Sequence, residues 1–280
     1  MAQRRYEFPV VMMSRVLSVS RAGFYAWLER EPSARSQRRE ALARHLEQAY
    51  HRYKRRYGAP RLTLELNAQG MSCSENHVAK LLRARGLKAL NGRRFRHQPA
   101  APCTLPVRRN LLARDFSSKG PNRKWVSDIT HIPVGRGWTY LAVVLDLYSR
   151  KVVGWAFDTH VREALILEAL NMARGHRQVM PGLLLHSDQG VQYRATEYQK
   201  TLRDLGIAAS MSRKGNCWDN AVMEAFFARL KVELIYPENY TSVEALRAGL
   251  FEYIEIFYNR QRRHSALGYD NPAHYELLST

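Results

Sequence analysis

Three carboxylates stand in contexts suited to chemistry: Asp128 in KWVSDITHI, Asp188 in LLLHSDQGVQY and Glu224 in DNAVMEAFFARLK. Each aspartate sits in or just after a short apolar, strand-like run, and the glutamate lies on an amphipathic helical stretch. Lys231 follows it two helical turns later. Hard oxygen donors at strand ends and on one helix face suit a pair of Mg²⁺ or Mn²⁺ ions. Such ions promote in-line displacement at phosphodiesters, with water or a 3′-OH as nucleophile. Each residue also has a plainer role open to it. Asp188 could form a turn, Glu224 could be solvated and Asp128 could be a hydrogen-bonded strand residue. Asp146 in VVLDLYSR competes with Asp128, because it too interrupts an apolar strand, and spacing alone leaves that choice open.

The elements that must hold these residues begin near residue 124. KWVSDITHIPV alternates, Gly135 and Gly137 flank a hairpin turn, and WTYLAVVLDLYS and KVVGWAFD are rich in β-branched and aromatic residues. REALILEALNMARG reads as a helix, LLLHSD as a buried strand, TEYQKTLRDLG as a helix and AASMS as a last short strand. Three antiparallel strands followed by helix, strand, helix, strand and helix describe an α/β protein with a mixed five-stranded sheet, of ribonuclease H type. Alternation puts Asp128 on the face of Val126 and Ile132. Asp219 or Asn220 is positioned to cap the Glu224 helix. A regular helix would keep Asn220, Glu224, Phe227 and Lys231 on one face.

The 280 residues carry 44 Lys and Arg against 25 Asp and Glu, a net +19. Nearly all of the excess lies before residue 121, where 25 basic residues face 8 acidic ones; the remainder has 19 against 17. An excess spread over a whole domain favours a polyanionic partner, nucleic acid or an anionic membrane, and the domain reads as a DNA-binding module. Within it, residues 37–56 read as one amphipathic helix with Leu42, Leu46, Ala49 and Tyr53 inward. RLTLELNAQ, a turn at Gly70 and a helix ENHVAKLLRARG capped by Ser72 or Ser74 follow. That is a helix-turn-helix pattern with Val78, Leu81 and Leu82 inward and Lys80, Arg83 and Arg85 outward; an ordinary helical hairpin fits the pattern equally well, and the charge favours DNA contact. Residues 14–28 form a further helical unit, with Phe24, Tyr25, Trp27 and Leu28 expected to pack. Proline and arginine between residues 91 and 123 indicate an extended basic linker. The division expected is 1–92 for an all-α DNA-binding region, 93–120 for the linker and 121–280 for the catalytic domain with its helical tail. Arg213, Lys214, Lys231, Arg260, Arg262, Arg263 and His264 are the candidate DNA-backbone contacts of that domain.

Cys73, Cys103 and Cys217 form no CxxC pair and lie at no zinc-finger spacing from the histidines. His45 and His51 are read as surface residues. No apolar run approaches a membrane span and no secretory segment follows Met1, so a cytoplasmic protein is expected.

The motifs WVSDIT, HSDQGVQY and SMSRKGNCWDNAVMEAFFARLKVELIY resemble transposases of the IS3 family, as do FYNRQRRHSALGYDNPAHYE and RAGFYAW. The resemblance covers nearly the whole chain and is specifically to the second-reading-frame product, an integrase-like DDE recombinase. It implies that Asp128, Asp188 and Glu224 are the acidic triad and Lys231 its accompanying base. It also implies two Mg²⁺ or Mn²⁺ ions, DNA cleavage at element ends and strand transfer. The partners implied are double-stranded DNA (terminal repeats and target), further copies of the chain, and a first-reading-frame protein or fusion. Val191 stands where serine is common, and the zinc-binding cluster of retroviral integrases has no counterpart.

Overall fold

The computed structural model describes residues 1–90, 106–213 and 216–278. They fall into two compact units, Met1–Lys88 and Ala89–Thr280.

The first unit is helical. α1 (Val10–Val16), α2 (Arg21–Glu29), α3 (Ala34–Arg52), α4 (Ala59–Ala68) and α5 (Glu75–Ala84) follow in order. Leu42, Leu46, Ala49, Leu62, Leu66, Val78 and Leu81 are buried, so α3, α4 and α5 share a core. Ser74 caps α5 by accepting from the His77 N–H at 3.3 Å. α3 starts before the expected residue 37 because Ser33 caps it, accepting from Ser36 N–H at 3.3 Å. It stops short of residue 56 because Lys54 and Arg55 take left-handed φ angles of 48° and 62°. The single unit expected over 14–28 is two helices, with Ser18 at φ 53° and Ser20 capping α2. Of its four aromatic and leucine side chains only Phe24 is buried. Tyr25, Trp27 and Leu28 are exposed, because α1 and α2 form a thin pair.

The second unit is the mixed sheet. β1 (Lys124–Val134), β2 (Gly137–Asp146) and β3 (Val152–Asp158) are antiparallel. β4 (Leu184–Ser187) and β5 (Ala208–Met211) add parallel to β1, giving the order β3-β2-β1-β4-β5. α6 (Glu163–His176), α7 (Val191–Arg194) and α8 (Thr196–Asp204) connect them. α9 (Ala221–Leu230), α10 (Tyr236–Glu238), α11 (Val243–Phe251) and α12 (Pro272–Leu277) complete the chain. α6 covers one face: Trp125, Ala142 and Val144 pack with Leu165, Ile166, Ala169 and Leu170 in one core. Gly154 permits this close approach, since a Cβ there would lie 2.2 Å from the Ala169 carbonyl. The other face buries Val126, Ile132, Leu141 and Val143, with α9 against β1. Two π-helical stretches, Lys231–Ile235 and Glu252–Tyr258, interrupt the C-terminal helices.

Residues 91–105 of the expected linker lie outside the described residues. The part from 106 onward is not a free spacer. Leu112 is buried, and the N–H groups of Leu111 and Leu112 both donate to Ser210 Oγ on β5, at 2.8 and 3.2 Å. No helix of the described residues is long and apolar enough to cross a membrane.

Candidate active site

Sheet register puts the two competing carboxylates on opposite faces of the sheet. Asp128 pairs with Val143 across β1 and β2, whereas Asp146 pairs with Trp125. Positions 125 and 128 point to opposite faces of a strand, so Asp146 lies on the α6 side and Asp128 on the α9 side. Asp146 is fully buried. Its Oδ2 accepts from Asn122 N–H at 2.7 Å and Trp125 Nε1–H at 3.3 Å, and its Oδ1 accepts from Tyr148 N–H at 2.9 Å. Burial pushes its carboxyl above the usual range, and these donors oppose the shift. These bonds fasten the start of β1 to the end of β2.

Asp188 belongs with Asp128. The parallel β1–β4 ladder ends with Val126 opposite His186; Asp188 lies two residues further on, one past the end of β4, and its negative charge acts on Asp128. Both aspartates are half-buried, and each is steadied by a nearby backbone N–H: Ile129 N–H to Asp128 Oδ1 at 2.8 Å, Gly190 N–H to Asp188 Oδ1 at 2.9 Å. A side chain at residue 190 would put its Cβ 2.9 Å from Asp188 Oδ1, so glycine there keeps the carboxylate in place.

Electrostatics joins the remaining members. Desolvation first, then the negative charges of Asp188 and Glu224, raise the Asp128 carboxyl well above the usual carboxylate range; Ile129 N–H and Lys231 oppose the rise. Lys231 is buried, and desolvation lowers its ammonium while Asp128 raises it. Asp128, Asp188, Glu224 and Lys231 therefore share one electrostatic neighbourhood. Glu224 is exposed on α9 while Asn220, Phe227 and Lys231 are buried. A π turn begins at Lys231, directly after α9, and the charges of Glu224 and Lys231 both act on Asp128.

The donor set suits a hard divalent cation, being three carboxylates with neither thiolate nor imidazole among them. Among the described residues, no three His, Cys, Asp or Glu side chains are gathered tightly enough to enclose an ion. The like charges of Asp188 and Glu224 beside a desolvated Asp128 repel one another and it, which disfavours a closed cage without a cation.

Other residues proved relevant without a sequence signal beyond their apolar surroundings. Tyr193 on α7 is buried, with its Oη 2.9 Å from Ser127 Oγ. Desolvation and then the charge of Asp128 raise its phenol strongly. His131 on β1 is lowered by desolvation and by the charge of Lys231. Asp219 was read as a possible helix cap. It is instead fully buried against Arg213, which donates to it from N–H, Nε and Nη2 at 3.0, 3.0 and 2.9 Å. Asn220 is the N-cap residue of α9 and makes no side-chain cap bond.

The candidate DNA contacts divide. Lys80 and Arg83 are exposed on α5. Arg85 instead pairs with Glu47 and Glu40 of α3, at 2.6 and 2.8 Å. Arg213 pairs with Asp219 while its side chain stays exposed. Lys214 lies outside the described residues. Arg262 is a correction: it is buried and donates to Glu233 from Nε at 3.0 Å and Nη2 at 2.7 Å, so it is internal and presents no surface to DNA. Arg263 is half-buried, with Nη1 3.4 Å from the Tyr269 carbonyl. Arg260 is exposed and His264 half-buried.

Residues 118–217 match a family model described as "Integrase core domain", residues 205–272 match a second of that description, and residues 37–95 match an "HTH-like domain". The transposase InsF for insertion sequence IS3A of Escherichia coli (strain K12) is 44% identical over 272 residues, spanning 96% of this chain and 94% of that protein. The transposase for insertion sequence element IS904 of Lactococcus lactis subsp. lactis (strain IL1403) is 39% identical over 254 residues, 90% of this chain and 100% of that protein. Among solved structures, the HTLV-2 integrase catalytic core domain in complex with magnesium aligns at a TM-score of 0.42 and 18% identity. That alignment covers 56% of this chain and 98% of the other.

Proposed function

The chain belongs to the IS3-type insertion-sequence transposases and carries an integrase catalytic core, and on that premise we propose that Asp128, Asp188 and Glu224 are the ligands of its catalytic ions and Lys231 its phosphate-holding base. The observation that supports this reading is the electrostatic coupling of Asp188, Glu224 and Lys231 to Asp128 on β1. Two Mg²⁺ or Mn²⁺ ions bound there would supply Lewis-acid stabilisation of the scissile phosphate and activation of water or a DNA 3′-OH.

The chain's own residues do the rest. Asp128 presents its carboxylate from within β1, a rigid element that places a ligand accurately, and Asp188 presents its own from the first residue after β4. Glu224 approaches from α9, a separate element. Lys231 holds a DNA phosphate as a point charge. No serine or tyrosine nucleophile is required, because the incoming oxygen belongs to water or DNA. Lys80 and Arg83 on α5 contact terminal-repeat DNA, with Arg213, Lys214 and Arg263 as further backbone contacts. The chain acts in the cytoplasm, as a homo-oligomer on DNA, and with a first-reading-frame protein or as a fusion to it.

The test is to incubate the protein with labelled DNA carrying its element ends, in Mg²⁺ and in EDTA, beside an RNA–DNA hybrid. Metal-dependent joined product supports the proposal. Cleavage of hybrid RNA without joining would reassign the protein as a ribonuclease, and binding without any cleavage would mark a regulator.

A further inference from the structure

The carboxylate of Asp219 is fully buried and accepts five hydrogen bonds. Three come from Arg213, just ahead of α9. The other two come from far upstream: Asn110 Nδ2 at 3.0 Å and Arg114 Nε at 2.9 Å. Arg114 also donates from Nη2 to Asn216 Oδ1 at 2.9 Å, so it grips the approach to α9 at two points.

The upstream segment is itself held in place. Arg108 N–H meets Met211 Sδ at 3.4 Å, its Nε donates to Gln199 Oε1 at 2.7 Å, and Leu111 and Leu112 are bound to Ser210 Oγ. That hydroxyl is also 2.8 Å from His186 Nδ1. With both lone pairs taken by N–H donors, its own proton goes to His186, whose Nε2–H then faces Ser212 Oγ at 3.1 Å. Burial lowers this imidazole to about 4, which keeps it neutral in that network.

Ala113 and Arg114 hold left-handed φ angles of 50° and 63°. That region is unfavourable for residues with a Cβ and persists where surrounding contacts over-determine it. Asn110 supplies one such contact, accepting from Ala113 N–H at 2.9 Å. Strained backbone, a buried carboxylate and two distant donors thus meet at the base of the helix that carries Glu224. That helix has no side-chain cap of its own.

We infer that Arg114 and Asn110 are positioning residues for Glu224, acting through Asp219 to fix the first turn of α9. Glu224 follows Asp219 by five residues, little more than one helical turn, so a shift at Asp219 is carried to the carboxylate. The inference rests on the assignment of Glu224 to the catalytic site. It makes the linker part of the active-site scaffold.

The experiment uses the full chain and its Arg114→Ala, Arg114→Lys, Asn110→Ala and Glu224→Gln variants. Hydrogen exchange of residues 216–224, DNA affinity, and the Mn²⁺ concentration giving half-maximal strand cleavage are measured for each. Arg114→Ala is expected to speed exchange in that window alone and to raise the Mn²⁺ requirement about tenfold, within the range typical of groups that orient metal ligands. DNA affinity stays unchanged. Arg114→Lys recovers part of the effect and Asn110→Ala shows a smaller one. Unchanged exchange and Mn²⁺ dependence in both alanine variants would overturn the inference, as would a loss that tracks DNA affinity. If Glu224→Gln cleaves normally, the site assignment fails and the inference falls with it. If that variant is inactive while the alanine variants behave as the parent, only the inference fails.

Discussion

Asp146→Asn separates the two carboxylates that the sequence could not rank. The substitution keeps the size of the side chain and removes its charge. Oδ2 accepts two donors and Oδ1 one, so the amide oxygen will take the Oδ2 position and its NH₂ will face the Tyr148 N–H. One charge-assisted bond is lost, the other two weaken, and two donors oppose each other in a buried site. Hydrogen bonds to charged groups contribute about 1.5–3 kcal/mol, and a stranded buried donor costs about 1–3 kcal/mol. A total near 3 kcal/mol follows, or about 6–12 °C in the midpoint of a unit this size. The assay is thermal unfolding followed by circular dichroism, paired with Mg²⁺-dependent strand cleavage well below the midpoint. The variant should melt earlier and still cleave at close to the parental rate. An unchanged midpoint with cleavage abolished would refute the reasoning and make Asp146 a ligand.

Gly190→Ala should lower cleavage about ten- to a hundredfold, the usual range for disturbing a metal-site support, because its Cβ would crowd Asp188 Oδ1; parental cleavage rates in steady-state assays would count against it. Arg262→Met removes both guanidinium donors from buried Glu233, which also accepts from the Tyr253 hydroxyl at 2.9 Å. Removing one member of a buried pair costs about 3–5 kcal/mol, to be read by urea unfolding, while the salt dependence of DNA binding stays as in the parent. Preserved stability with a smaller salt slope would restore Arg262 as a DNA contact. Lys231→Ala should weaken end joining yet leave Mn²⁺ binding intact by calorimetry, and unchanged joining would remove its assigned role.

The sheet was readable from sequence because β1, β2 and β3 announce themselves by alternation and β-branched content, and β4 and β5 by short apolar runs between amphipathic helices. Asp128 and Asp146 were not separable there, since each interrupts an apolar strand and only the pairing reveals which face each occupies. The π turn that begins at Lys231 leaves no mark in residue type. Arg262 looked like part of a solvated basic run; its partner Glu233 lies 29 positions away, beyond any local pattern. The aromatic residues of α2 follow a helical spacing that would bury them in a thicker bundle, but no further layer covers them in the first unit. The docking of residues 108–114 depends on Ser210 and Asp219, about a hundred positions downstream, so proline and arginine content alone suggested only a spacer.

The most direct measurement compares strand transfer by the parent protein with that of Asp128→Asn, Asp188→Asn and Glu224→Gln, in Mg²⁺, on DNA carrying the element's ends. DNA affinity is recorded for each. The account predicts joined product from the parent alone and near-parental binding by all three variants. Full joining by any one of them would remove that carboxylate from the site, and with it the claim that these three residues carry the chemistry.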